Sequence, residues 1–168
     1  PKDINEYNSI ISILDNKNPQ LANFAKVVYK TLARPQDLLR AKISDYKDNR
    51  LKITNGKTKV LRTITIPKEI DYIFENINKF PQDWYIFGKN LLPSKNEISR
   101  KYTTDLWKKI VKPIFDVDLY GLKYFGVDQY LLKGIDIDTI RHQAGHVHKH
   151  MTERYGKQLK NIYHNKLR

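Results

Sequence analysis

The apolar residues of this chain change period twice, and each change marks a new kind of element. Ile4, Tyr7, Ile10, Ile11 and Leu14 recur at helical spacing and predict a helix over 4–15. The Asn16-Lys17-Asn18-Pro19 run reads as a turn. Leu21, Phe24, Ala25, Val28, Tyr29 and Leu32 line the buried side of a second helix. Pro35 forces Arg34 out of the helical region and suits the first turn of a third helix over 36–41.

From 47 to 67 the pattern becomes alternating. Leu51-Lys52-Ile53-Thr54 and the stretch 60–66 read as strands, joined at Asn55-Gly56, a strong hairpin signal. Helical spacing returns after Pro67, with Ile70, Ile73, Phe74 and Ile77 inward until Pro81. Trp84-Tyr85-Ile86-Phe87 is a short buried piece, and Ser94 with Glu97 has the spacing of a capping box. It precedes a helix over 98–114, whose Tyr102, Leu106, Trp107, Ile110 and Val111 oppose a basic face. A further helix spans 119–132 and stops at Lys133-Gly134. Asp136 or Asp138 caps the next one, which runs through Gln143 and breaks at Gly145, so His146 sits at a bend. The expected fold class is α+β: mainly α-helical, with a small antiparallel sheet in the N-terminal half.

Composition narrows the partners. A chain of 168 residues holds one well-packed domain, and no internal repeat divides it. Pro1 in place of methionine predicts a processed chain or a fragment. No signal peptide or membrane-spanning apolar run is apparent, so nothing sends the chain across or into a bilayer, and the expected location is cytoplasmic. Cysteine is absent, which excludes disulfides and thiolate chemistry. Against 18 acidic residues stand 31 Lys and Arg, a net charge of +13 interleaved with 11 tyrosines. That balance favours a polyanion such as nucleic acid over its alternatives, solubility alone or an anionic membrane surface.

Candidate chemistry concentrates toward the C-terminus. Gly145-His146 places an imidazole at a bend, and Tyr155 beside Gly156 puts a phenol at a helix end. His142, His146, His148 and His150 have spacing that zinc could use, but no cysteine or placed carboxylate completes a ligand set, and no metal or cofactor is expected. Arg34 at an inter-helical junction has two readings, a cation closing helix ends or an anion clamp. Lysines at a hairpin tip, Lys57 and Lys59, are ordinarily solvated.

In order and in kind, these residues resemble the catalytic domain of the tyrosine recombinase (phage integrase) family, from about Leu21 to Gly156. Leu32-Ala33-Arg34-Pro35-Gln36-Asp37-Leu38 is similar to that family's Gly-Leu-Arg-x-x-Glu-Leu box, and Gly56-Lys57-Thr58 to its lysine hairpin. Ala144-Gly145-His146 and Thr152-Glu153-Arg154-Tyr155 match its bend and nucleophile motifs, with His146 and Tyr155 nine positions apart. The family's His-x-x-Arg stands here as Tyr120-Gly121-Leu122-Lys123.

The resemblance implies a site-specific recombinase or integrase that cleaves and rejoins double-stranded DNA through a 3′-phosphotyrosyl link, without a cofactor. Tyr155 would be the nucleophile, Arg34 a phosphate clamp, Lys57 (with Lys59 its competitor) the acid toward the departing 5′ oxygen, and His146 a hydrogen-bonding partner of the phosphate. Tyr120 and Lys123 would hold the remaining positions, Lys123 keeping the charge but not the planar fork. Two other readings stand beside it: a catalytically impaired DNA-binding relative, and a nicking-resealing topoisomerase. Also implied are a missing N-terminal core-binding domain, a monomer in isolation that forms dimers or tetramers on DNA, and a tail over 157–168. That tail is either a fraying helix or a segment exchanged between protomers.

Overall fold

A computed structural model describes residues 1–146 and His150. Tyr155, His148 and the tail over 157–168 lie outside the described residues.

The first two helices begin where their caps dictate. α1 (Ile4–Lys17) starts at Asp3, whose carboxylate accepts the Glu6 amide at 2.8 Å. α2 (Pro19–Thr31) starts at Asn18, whose side chain accepts the Leu21 amide at 3.0 Å, with proline in the first turn. Pro35 opens α3 (Pro35–Arg40). The sheet is antiparallel in the order β1 (Tyr46–Lys47), β2 (Arg50–Thr54), β3 (Leu61–Thr65), with Lys52 opposite Thr63. Asn55-Gly56 does not form a tight two-residue turn. Asn55 folds the loop back through its side chain, which accepts the amides of Lys57 at 2.8 Å and Thr58 at 3.1 Å.

Three helical expectations change in the structure. The segment after Pro67 forms tight 3₁₀ turns, Lys68–Phe74 and Ile77–Lys79, with Asn76 at φ 63° between them. Ile70, Phe74 and Ile77 are still buried, so the apolar spacing is met without a continuous α-helix. Ser94 is not a helix cap: it bridges Tyr85, and α4 (Arg100–Ile110) starts after Ser99. The same helix stops short of 114 because Pro113 has no amide to donate and disfavours a helical Lys112. α5 (Gly121–Leu132) and α6 (Ile137–Ala144) follow the apolar pattern, and Asp136 rather than Asp138 caps α6, accepting the Thr139 amide at 2.8 Å.

A large apolar cluster joins α1, α2, the sheet, the 3₁₀ turns, α4 and α5 through residues such as Leu14, Phe24, Ile64 and Trp107. Among the described residues a second cluster has Leu32, Val127, Ile140 and Ala144 as its buried members. Gly126 lets α5 approach α2 at the boundary. A Cβ there would stand 2.2 Å from the Tyr29 carbonyl oxygen and 2.6 Å from Leu32 Cδ2. On the other side, α6 is tied to the sheet by one side chain. Gln143 accepts the Thr65 amide at 3.1 Å and donates to the Thr65 carbonyl at 2.8 Å.

Candidate active site

Arg34 owes its position to a strained backbone. Leu32 ends α2 in the left-handed conformation at φ 59°, an uncommon choice for a branched, fully buried residue. The chain then turns sharply, and Arg34 stands extended ahead of Pro35. Its Nε donates to the Tyr120 hydroxyl at 3.3 Å, and Nη1 lies 3.8 Å from Asp37 Oδ2. Asp37 is only 3% exposed, and its other oxygen accepts the Gly56 amide at 3.3 Å. One carboxylate thus links Arg34 to the lysine hairpin. Tyr120 also accepts from the Tyr124 hydroxyl at 3.5 Å. With two bonds accepted, its own O–H proton is left to donate.

Lys123 projects from α5 into the interior and is 0% exposed. Its ammonium donates to the Ala144 carbonyl at 2.5 Å. Burial, and then the charges of Arg34 and Arg62, pull its pKa down to about 7, while Asp37 opposes the fall. His146, two residues beyond Ala144, is also buried. Desolvation first, then Lys123, Arg34 and Arg62, lowers its pKa to about 4, so the imidazole is neutral at physiological pH. Sequence-distant Arg34, Tyr120, Lys123 and His146 therefore share one electropositive region.

Lys57 and Lys59 are exposed on the hairpin loop. Neighbouring Thr58 lines a cavity of about 300 Å³ together with Asn55, Arg62, Arg141 and His146. A second cavity of about 370 Å³ is bordered by Arg34, Arg100, Thr104, Lys108 and Tyr120. Among the described residues no group of His, Asp and Glu side chains is arranged to hold a metal ion. His142 and His150 are exposed. Tyr155, the expected nucleophile, lies outside the described residues.

Two residues that the sequence reading assigned no role belong to this region. Asp37 was visible only as the acidic member of the box around Arg34. Arg62 had a clearer signal. Strand alternation puts it on the same face as buried Ile64, and a charge on the inward face of a strand requires an explanation.

Comparison with known proteins places the fold. The model of the phage integrase family matches residues 3–161. The structure of XerA recombinase superposes with a TM-score of 0.74 at 17% identity, covering 98% of this chain and 64% of that one. A lambda integrase fragment, crystallised as a dimer bound to a COC′ core site, gives 0.68 at 19% identity, with 90% and 56% covered. The catalytic domain of bacteriophage HP1 integrase gives 0.65 at 18% identity, with 92% and 85% covered. This chain thus spans about two thirds or less of the first two and most of the third. No curated protein sequence matches it.

Proposed function

Because the chain belongs to the phage integrase family, we propose that it is the catalytic domain of a site-specific DNA recombinase acting through a 3′-phosphotyrosyl intermediate. The observation that carries this reading is the convergence of Arg34, Tyr120, Lys123 and His146, drawn from two distant parts of the sequence, around one buried positive region. Such a region stabilises a five-coordinate phosphorane through preorganised donors, with no metal needed in that role.

In this mechanism Tyr155 Oη, its proton passing to solvent water, attacks phosphorus as the bond to the 5′ oxygen breaks, and Lys57 donates a proton to that oxygen. Arg34 clamps a non-bridging oxygen, oriented by its bond to Tyr120 and its ion pair with Asp37. Tyr120 donates a hydrogen bond from its hydroxyl to the phosphate. His146, neutral in the free protein, hydrogen-bonds the phosphate rather than neutralising it. The covalent link conserves the bond energy, so rejoining requires only the reverse attack. The partner is duplex DNA, met by a surface of net charge +13 with steep salt dependence, and protomers assemble on it.

One observation favours a second reading, a DNA-binding relative with impaired catalysis. Lys123 is directed at a backbone carbonyl and offers no guanidinium fork. A nicked suicide duplex separates the two. A covalent adduct that disappears in Tyr155→Phe supports the enzyme, whereas DNA binding with no adduct at any pH supports the binder.

A further inference from the structure

Arg62 sits in β3 but behaves like neither a surface nor a core residue. Its Nε and Nη2 atoms are buried with no hydrogen-bonding partner among the described residues, as is Nη1 of Arg34. Unsatisfied buried N–H groups on a cation are expensive, and proteins keep them where a ligand supplies the acceptor. The guanidinium lies against the backbone at the α6 break. A Cβ on Gly145 would come within 2.2 Å of Arg62 Nη1, and the φ of 65° at Gly145 itself favours glycine there. Arg62 and His146 line the same cavity beside the hairpin loop.

The electrostatic surroundings have the same sign. Burial lowers the pKa of the Arg62 guanidinium, Asp37 partly offsets this, and Arg34 lowers it further. A guanidinium still keeps its proton at neutral pH. Arg34, Arg62 and Lys123 therefore crowd together, with Asp37 the acidic side chain that acts on both Arg62 and Lys123. Such a cluster repels itself until an anion enters.

We propose that Arg62 supplies the second guanidinium fork to the scissile phosphate, donating through Nε and Nη2 the planar pair of hydrogen bonds that Lys123 cannot. Lys123 then serves as a positioning residue: its bond to Ala144 fixes the end of α6 and so the backbone against which Arg62 packs. The inference rests on the recombinase reading for the identity of the phosphate, but the anion site itself is testable without any reaction.

Two measurements test it. In the first, inorganic sulfate is titrated into the full chain and the Arg62 Nε–H resonance is followed by NMR. A saturable shift is expected, with affinity, read in both proteins from the Gly145 backbone amide, at least about 10-fold weaker in Arg62→Lys, since an ammonium replaces a bidentate fork. The exposed control Lys52→Ala should bind as wild type does. In the second, adduct formation is timed on nicked duplexes with either a normal scissile phosphate or one carrying a methyl group in place of a non-bridging oxygen. Arg62→Lys should be slowed about 10²-fold on the charged phosphate, the loss typical of one anion-hole donor, and far less on the neutral one.

A misfolded variant would be slowed equally on both substrates, and the wild-type sulfate titration does not depend on any variant. Wild-type sulfate binding that leaves the Arg62 signal unmoved overturns the proposal, as does an Arg62→Lys variant matching wild type in both measurements. A shift at Arg62 without any adduct from wild-type protein supports the anion site while sinking the recombinase reading.

Discussion

The two apolar clusters do different work. The large one gathers long helices and the sheet around fully buried Leu14, Phe24 and Ile64. The small one holds Leu32, Val127, Ile140 and Ala144 and borders the proposed site through Ala144, whose carbonyl accepts the Lys123 ammonium. Three of these four buried members are close in sequence to a residue of the proposed site. Leu32 precedes Arg34, Val127 lies one turn beyond Lys123, and Ala144 accepts the Lys123 ammonium and precedes His146. The expectation is that stability resides mostly in the large cluster and site geometry in the small one. A mutational scan should separate them.

The largest stability effect is expected from Phe24→Ala, which opens a cavity in the large cluster. It should cost about 3–5 kcal/mol by chemical denaturation, with adduct yield per folded molecule little changed. An equal collapse of both would erase the distinction. Lys123→Met should act in the opposite sense. A lysine whose folded pKa is about 7 carries a penalty that is complete below pH 7 and is lifted as pH rises toward the unfolded value of 10.5, because only the unfolded chain holds the proton in that window. The variant should gain about 2–4 kcal/mol at pH 6, and the gain should shrink steadily up to pH 10. Its adduct rate should fall at the same time.

Gly126→Ala probes the boundary and should cost about 1–3 kcal/mol, since the new methyl meets the backbone of α2. It should also weaken sulfate binding by displacing Leu32. Smallest in stability is Ile140→Val, about 1 kcal/mol. If the small cluster sets geometry, its adduct rate should fall more than that stability loss explains. A variant as active as wild type would show the site to be held by other means.

An acid titration complements these. His146 has a folded pKa near 4 against 6.5 unfolded, so stability should decline as pH falls from 6.5 toward 4. His146→Gln should flatten that decline in a thermal melt series.

Much of this was legible in the chain, for reasons that differ by element. α1 and α2 have clean periodicity and side-chain caps, and their limits could be read nearly to the residue. The region after Pro67 satisfies the same apolar spacing with 3₁₀ turns, a difference that periodicity cannot register. The motif residues Arg34, Lys123 and His146 could be read from local sequence, but their convergence is a property of packing between α2, α5 and α6. The inward aim of Lys123 followed from no local rule. Arg62 stayed hidden because one charged residue in a short strand is common, and only its shared face with Ile64 marks it as different.

The pair of bonds from Gln143 to Thr65 has a consequence of another kind. An outer strand such as β3 offers a free rim of amides and carbonyls on which a second molecule could lay a strand of its own. Gln143 occupies that rim with a side-chain amide that mimics one peptide unit. The same contact that couples the histidine bend to the lysine hairpin therefore also guards a highly cationic protein against joining its neighbours through their sheets.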